Sequence, residues 1–521
     1  MTQQRYPVGI DLGTTFSALS YVDDDGRVET VRLEDGAFEM ASAIYFHSNQ
    51  EIVVGDEALR YGVIDPTRVA RAFKRHMCDE EPWAFQVDDR AHRAEELSAM
   101  VLKKLLREAE RKIGKIEEAV ISVPFMFDER GRRATENAGQ IAGIRVLDIV
   151  DEPVAAALAY GRTLLSGQGF YGDAELNNLF SDGVILVYDL GGGTFDLTMM
   201  RLKSDFSFEV LATAGDHALG GEDWDQALAE HLVEQYQQLL GSNPRDDLEA
   251  MQDIRTKATQ AKISLSERPR VTVELHRGES TQSATISRAD FETLTEHLID
   301  RTRDTLVTML EKKNFTPSHI DFILLIGGSS RMPMVSKLLE RVMHRPLDMS
   351  LPPDTAVSRG AALFAALRSN HRSMQGIKVQ TVNPHALGLR ARHKRLGKHV
   401  NDLLIKANEP TKTAVTKSYP ISRDAQSVRL VVLQGDLPDP DECVRIGEAT
   451  IPGVSAESLR GARVEVSFCY QDNGMMQVNG TVHFPDDRPP ASVRFDVHVQ
   501  GAMSEKEVNE AEAALTGITI E

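Results

Sequence analysis

Two short stretches of this chain repeat one another from far apart: "VGIDLGTTFSALS" (8–20) and "VYDLGGGTFDLTMM" (187–200). Each reads as an apolar strand, Asp-Leu-Gly, a few small residues, a phenylalanine, then alternating apolar positions. Asp11 corresponds to Asp189, Gly13 to Gly191 and Phe16 to Phe195. A short repeat so widely separated predicts two related lobes, each opening with a β-hairpin. A third glycine turn, "ILLIGGSSRMP" (323–333), follows a strand of buried type and precedes a helix.

Between the glycine turns the hydrophobic period is helical. "AEELSAMVLKKLLREAERKIG" (94–114) sets Leu97, Met100, Val101, Leu105 and Ala109 along one face. "DWDQALAEHLVEQYQQLLG" (223–241) and "DFETLTEHLIDRTRDTLVTMLEKKN" (290–314) behave alike. Strands alternating with helices predict an α/β domain over 1–370, with lobe I about 1–183 and lobe II about 184–370. The texture then changes. "SVRLVVLQGD", "RVEVSFCYQDNG", "MMQVNGTVHF" and "SVRFDVHVQG" are short β-rich runs. Turn signals stand at Gln434-Gly435-Asp436 and Asn473-Gly474. They predict a smaller all-β domain, a β-sandwich, over 381–502, after a linker at 371–380. The stretch 503–521 offers one short helix and then stops. A chain of 521 residues is too long for one core, which agrees with this division.

The formal net charge of -19 argues against nucleic-acid and anionic-membrane partners. Three cysteines, far apart and without a Cys-x-x-Cys pair, argue against a zinc site or a disulfide framework. The start, "MTQQRYPVGIDL", lacks the basic-then-apolar pattern of a signal peptide. No apolar run is long enough to span a membrane. The expectation is a cytoplasmic protein.

A Gly-Gly-Gly-Thr hairpin has no side chains to block approach, and its backbone N–H groups can converge on an anion. The same glycines can serve strand geometry alone; two matched hairpins and a third turn favour the phosphate reading. Carboxylates beside a bare phosphate would repel it. They make sense if Mg²⁺ with its water shell lies between. Asp11 and Asp189 are therefore candidate metal partners, one from each lobe, and Thr14, Thr15 and Thr194 can donate to phosphate oxygens. A strand, not a helix, follows each hairpin, which excludes the dinucleotide fold and the P-loop.

"GIDLGTTFSALS", "VDEPVAAALAYG" (150–161), "DLGGGTFDLT" and "LIGGSSRMPMV" (325–335) resemble signatures of the seventy-kilodalton heat-shock chaperones of DnaK type, members of the actin-like ATPase superfamily. "VPFMFDERGRRAT" (123–135), "ATAGDHALGGEDWD" (212–225) and "PPDTAVSRGAAL" (352–363) extend the likeness in the family's order. It is continuous over roughly 6–370 and weaker over the β domain, where it rests on "NPHALGL", "VVLQGD" and "IPGV".

The resemblance implies a two-lobed ATPase with ATP or ADP and Mg²⁺ in the cleft. It implies that Lys74 is the catalytic lysine; alone, beside Arg75, it reads as a solvated surface pair. It gives Glu152 a place near metal and water; alone, before Pro153, it reads as a helix-cap charge. Asp196 matches a residue that holds water and monovalent cations such as K⁺. With Asp11 and Asp189 it completes the expected metal set, mainly through water. Phe16, Gly13 and the turn Gly191, Gly192 and Gly193 fall at the phosphates. Lys262 and Ser266, four apart on one helix face, match nucleoside contacts. Gly327, Gly328, Ser329 and Arg331 match the adenosine loop, with Asp354 nearby.

The chain also departs from the family. Ile263 stands where many members have an arginine beside the adenine ring, and Thr259 where a glutamate is common. The linker stretch "GIKVQ" (376–380) holds only two apolar residues, although Arg132 still matches a linker-docking residue. The first peptide-gripping loop is "LRARHKRLGKHVND" (389–402), longer and basic: a solvated loop, or a surface for less apolar, more acidic segments. The stretch 503–521 is expected to be too short to form the family's helical lid. The expected activity is ATP-dependent holding of unfolded or extended polypeptide segments, with a J-domain co-chaperone and a nucleotide-exchange factor as partners. The alternatives are a nucleotide-sensing scaffold with one fixed partner and, less favoured, a small-molecule kinase.

Overall fold

The computed structural model describes residues 6–79, 81–165, 183–203, 208–216, 218–344, 347, 351–372, 385–393, 397–407, 414–422, 424–470, 476–486, 488–496 and 503–521. Most of the expected linker, Asn473-Gly474 and the centre of the basic loop lie outside the described residues.

The repeat seen in the sequence is a repeat of topology. In the first large sheet Val8–Leu12 pairs antiparallel with Phe16–Val22, which pairs antiparallel with Val28–Thr30. On its other side Val8–Leu12 lies parallel to Glu118–Val123. In the second sheet Gly183–Leu190, Phe195–Leu202 and Phe208–Asp216 form the same antiparallel meander, and Phe322–Ile326 lies parallel to its first strand. The strands Gly183–Leu190 and Phe322–Ile326 are buried throughout. Such two-sided burial is expected where helices cover both faces.

Two helices join the sheets. Glu152–Leu165 and Ala356–Arg368 share one core with Val120 and Val150 of the first sheet and Ile185, Val187, Phe322 and Leu324 of the second. Their approach is close because the contact residues are small. A Cβ at Gly360 would stand 1.7 Å from Ala155 O, and one at Gly9 would stand 1.9 Å from Ala362 N. The periodic helix of the first lobe spans Ala94–Ile113, and Leu97, Met100, Val101, Leu105 and Ala109 are all in the core. The stretch 290–314 is not one helix. Thr295, with φ −108° and ψ 14°, leaves helical geometry and divides the run into Arg288–Leu294 and Glu296–Lys312; it is buried, and its N–H and hydroxyl both donate to Phe291 O.

From Leu387 to Asp496 two four-stranded antiparallel sheets share a separate core built from Leu430, Val432, Val466, Phe468, Val478 and Val482. This β region rests on the first lobe. His385 Nε2 lies 3.1 Å from Phe127 O, and Glu129 N donates to Gln434 Oε1 at 3.4 Å.

The tail departs most from expectation. Glu505–Thr516 is a helix, capped by Ser504 and Glu507. The chain then adds a strand, Thr519–Ile520, parallel to Glu51–Val54. Val508, Leu515, Ile518 and Ile520 enter the same core as Leu97 and Leu105. Burying each such side chain contributes roughly 1.5–3 kcal/mol. Among the described residues no helix is long and apolar enough to cross a membrane.

Candidate functional site

The two matched hairpins face each other. A Cβ at Gly192 would stand 1.8 Å from Thr15 Oγ1, and one at Gly193 would stand 2.9 Å from Thr14 Oγ1. Glycine is needed there for room. The first turn is braced by Ser42 Oγ, which donates to Gly13 O at 2.8 Å, and by Gly13 N, which donates to Ser17 Oγ at 3.2 Å. The second is closed by Gly191 N donating to Thr194 O at 3.1 Å. It is also tied to the start of helix Gly221–Leu240: Gly221 N donates to Gly191 O, and Glu222 N to Gly192 O, both at 2.9 Å.

Four carboxylates and one ammonium collect beside the hairpins. Lys74 Nζ is 2.9 Å from Glu152 Oε1, and Lys74 is only 2% exposed. The ammonium also lies 5.5 Å from the centre of the Phe127 ring. The lysine sits in the short helix Phe73–His76, entered through Ala72 in the left-handed region at φ 57°. Glu152 opens the helix Glu152–Leu165. Asp11 accepts from Ser122 Oγ at 2.7 Å. Asp189 and Asp196 oppose each other in register across the second hairpin.

Burial, and then repulsion from Glu152, pushes Asp11 up to about 7, against the pull of Lys74 and Ser122. The same causes push Asp196 up to about 7, against Thr194 and Lys74. Asp189 is raised well above the carboxylate range by burial, then by Glu152, Asp196 and Asp11. So many buried carboxylates around one ammonium are short of positive charge. Both oxygens of Asp196 and the Thr15 hydroxyl lack a well-formed hydrogen bond. Among the described residues no three His, Cys, Asp or Glu side chains converge as direct metal ligands. The unpartnered oxygens of Asp196 and the mutual repulsion of the buried carboxylates suit a divalent cation in this cleft.

The other expected residues form a second rim. Lys262 Nζ donates to Gly221 O at 2.8 Å and lies 2.9 Å from Asp225 Oδ1. Ser266 Oγ donates back to Lys262 O at 3.3 Å, so its hydroxyl is turned to its own helix. A Cβ at Gly221 would stand 2.1 Å from Ser329 Oγ, which brings this rim against the third glycine turn. Gly327, at φ 80°, has no room for a side chain: a Cβ would stand 2.7 Å from Asp189 Oδ1. Gly328 and Ser329 begin the short helix Gly328–Arg331, and Arg331 Nε donates to Asp354 Oδ1 at 3.0 Å. Phe16 is partly exposed at the rim of the first hairpin, and Ile263 is 54% exposed.

Sequence reasoning missed three residues. Arg75 Nη2 donates to Gly193 O at 3.0 Å, and Arg75 pairs with Glu222 at 3.3 Å, so it links the lobes. Ser122 holds Asp11. Ser330 Oγ accepts from Leu190 N at 3.2 Å and donates to Ile326 O at 2.6 Å, locking the third turn to the second hairpin. All three act on partners distant in sequence, and the adjacency of Arg75 to Lys74 reads in the sequence only as a solvated surface pair. Arg132 is ion-paired with Asp151, next to Glu152.

The sequence matches the model of the Hsp70 protein family over residues 7–515. Curated relatives include the chaperone protein DnaK of Thermotoga neapolitana and that of Thermotoga maritima. Each is 33% identical over 92% of this chain and 78% of its own length. The DnaK of Thermosipho africanus is 32% identical over the same shares. With the match spanning both lobes and the β region, the chain belongs to the Hsp70 family, whose members bind ATP or ADP with Mg²⁺, and it is an ATP-hydrolysing molecular chaperone.

Proposed function

We propose that ATP is bound and hydrolysed between the two glycine hairpins, in an actin-like two-lobed domain formed by 1–370, and that the β-sandwich of 381–502 holds extended polypeptide segments. The observation that carries this reading is the buried Lys74–Glu152 pair at 2.9 Å, set beside three further carboxylates at the meeting of the hairpins. Mg²⁺ and nucleotide, when bound, supply the transferable phosphoryl group and the positive charge that these carboxylates lack.

The residues divide the work. Gly13, Gly191, Gly192 and Gly193 keep the cradle open, and the hydroxyls of Thr14, Thr15 and Thr194 donate to phosphate oxygens. Asp11, Asp189 and Asp196 would hold Mg²⁺ through its water shell, and Asp196 would also support a monovalent cation such as K⁺. Lys74 Nζ stabilises negative charge that develops at the terminal phosphate. Glu152 Oε1 holds Lys74 in place and accepts from the attacking water. Lys262, Ser266, Gly327, Gly328, Ser329, Arg331 and Asp354 border the nucleoside. Arg75 holds the two lobes together over the phosphates. A J-domain co-chaperone and a nucleotide-exchange factor are the proposed partners, with clients presented as unfolded segments.

Single-turnover hydrolysis by the full chain tests the reading, with and without an extended peptide. We expect Mg²⁺-dependent hydrolysis that depends on Lys74 and responds to peptide. A rate indifferent to Lys74→Ala would remove this site from the chemistry.

A further inference from the structure

The chain enters and leaves the β region from the same lobe. At entry, Arg372 donates to Asp24 O, and His385 Nε2 lies 3.1 Å from Phe127 O. At exit, Met503 is gripped at both main-chain groups. Its N–H donates to Glu95 Oε1 at 3.2 Å, and its carbonyl accepts from Asn137 Nδ2 at 3.2 Å. Arg93 adds an ion pair to Glu507 at 3.6 Å. Further on, Thr519 N donates to Gln50 O at 2.8 Å, Glu521 N to Ile52 O at 2.9 Å and Val54 N to Glu521 O at 3.0 Å. Arg107 Nη1 donates to Ile520 O at 2.6 Å.

We propose that 503–521 is an intramolecular staple: it anchors the peptide-holding β region to the first lobe at a second point and keeps it docked there with ADP as with ATP. This rests on the reading of the β region given above.

The argument is one of reach and grip. Residues 497–502 connect the strand Ala491–Asp496 to Met503. Seven extended Cα steps span at most roughly 25 Å. The end of the last strand cannot move beyond that distance from Met503 unless the segment is pulled out. Pulling it out breaks a strand pairing and exposes Val508, Leu515, Ile518 and Ile520 together, since they share the first lobe's core. The grip on Met503 fixes the point of exit itself. A tail held only at its far end would leave the helix as slack. Strand addition to a sheet edge is a common way for one segment to hold another. Here the segment is covalently attached, which raises its effective concentration and favours rebinding.

The test uses the full chain with a protease recognition sequence inserted after Gly501. Cleavage severs the staple from the β region but leaves 503–521 free to remain on the first lobe. Paired fluorescent labels, one on each side of the interface, report docking, and stopped-flow release of a labelled peptide reports gating. Before cleavage we expect the label distance to be the same in ADP and ATP and release rates to differ by less than about threefold. After cleavage the tail should stay bound on size exclusion, and the ADP form should undock with a nucleotide effect on release of about tenfold or more. A large nucleotide effect in the uncut chain would overturn the proposal. So would identical behaviour of cut and uncut protein, or loss of the tail on cleavage. ATP turnover by the uncut protein is read separately, so failure of the hydrolytic reading and failure of the staple are distinguished.

Discussion

Thr15 and Gly192 meet where the two matched hairpins face each other, and the hydroxyl of one occupies the space a side chain on the other would need. Gly192→Ala forces the hairpins apart at the phosphate cradle. We expect ADP and ATP affinity to fall at least tenfold, with the melting temperature only slightly lower, because the clash lies in the cleft and not in either core. Calorimetric titration decides it: unchanged affinity would mean that the hairpins are not in contact when nucleotide binds.

Lys74→Ala removes the ammonium from among four carboxylates. Losing one such contact in a transition state typically costs ~10²–10³ in rate. Breaking a buried pair also leaves its partner uncompensated, at about 3–5 kcal/mol. The variant should therefore hydrolyse ATP slowly and melt at a lower temperature without nucleotide. Adding Mg²⁺ and ADP should restore part of the lost stability, since binding to the folded state alone stabilises it. Single-turnover rates and melting curves with and without Mg²⁺-ADP check both halves.

Ile263 is 54% exposed on the helix Leu248–Glu267, one residue after Lys262. Replacing it disturbs no core. Ile263→Arg should tighten ADP binding by up to roughly tenfold, since a planar cation over an aromatic face is worth about 0.5–2 kcal/mol. Equal or weaker binding by calorimetry would place the base away from this helix face.

Much of this molecule is legible in its sequence because its strongest signals are local. The Asp-Leu-Gly repeats announce two lobes, and the five positions that the helical period of 94–114 picks out are all buried in Ala94–Ile113, although Leu102 and Leu106, which it does not pick out, are buried too. What stays hidden depends on contacts between distant segments. Lys74 looks like a surface residue because nothing near it in the chain shows that Glu152 and the Phe127 ring enclose it. The break at Thr295 is a change in the backbone of one residue, at φ −108° and ψ 14°, which a hydrophobic period does not register. "GITIE" offers two β-branched isoleucines and a threonine, but its partner strand is near the other end of the chain. The staple was hidden for the same reason.

The last prediction concerns the surface on which the β region rests. Glu129 is buried there, its N–H donates to Gln434 Oε1, and its own Oε1 has no hydrogen-bond partner. Burial pushes its carboxyl up to about 7, although Arg132 and Arg133 pull it down; Asp128 and Glu136 push it further up. A carboxyl with a raised folded-state pKa binds its proton more tightly in the folded, docked form. Its contribution is present in full below the unfolded value near 4.5 and is lost as pH rises to about 7, at about 1.4 kcal/mol per unit. Other buried carboxylates titrate in the same range, so the difference between two proteins is the clean measurement. Glu129→Gln cannot ionise, and its melting temperature should exceed that of the parent chain clearly at pH 8 and little or not at all at pH 5. The gap should open between pH 5 and 7 and stay constant above. An equal difference at pH 5 and pH 8 would show that Glu129 is ionised, or solvated, in the docked state.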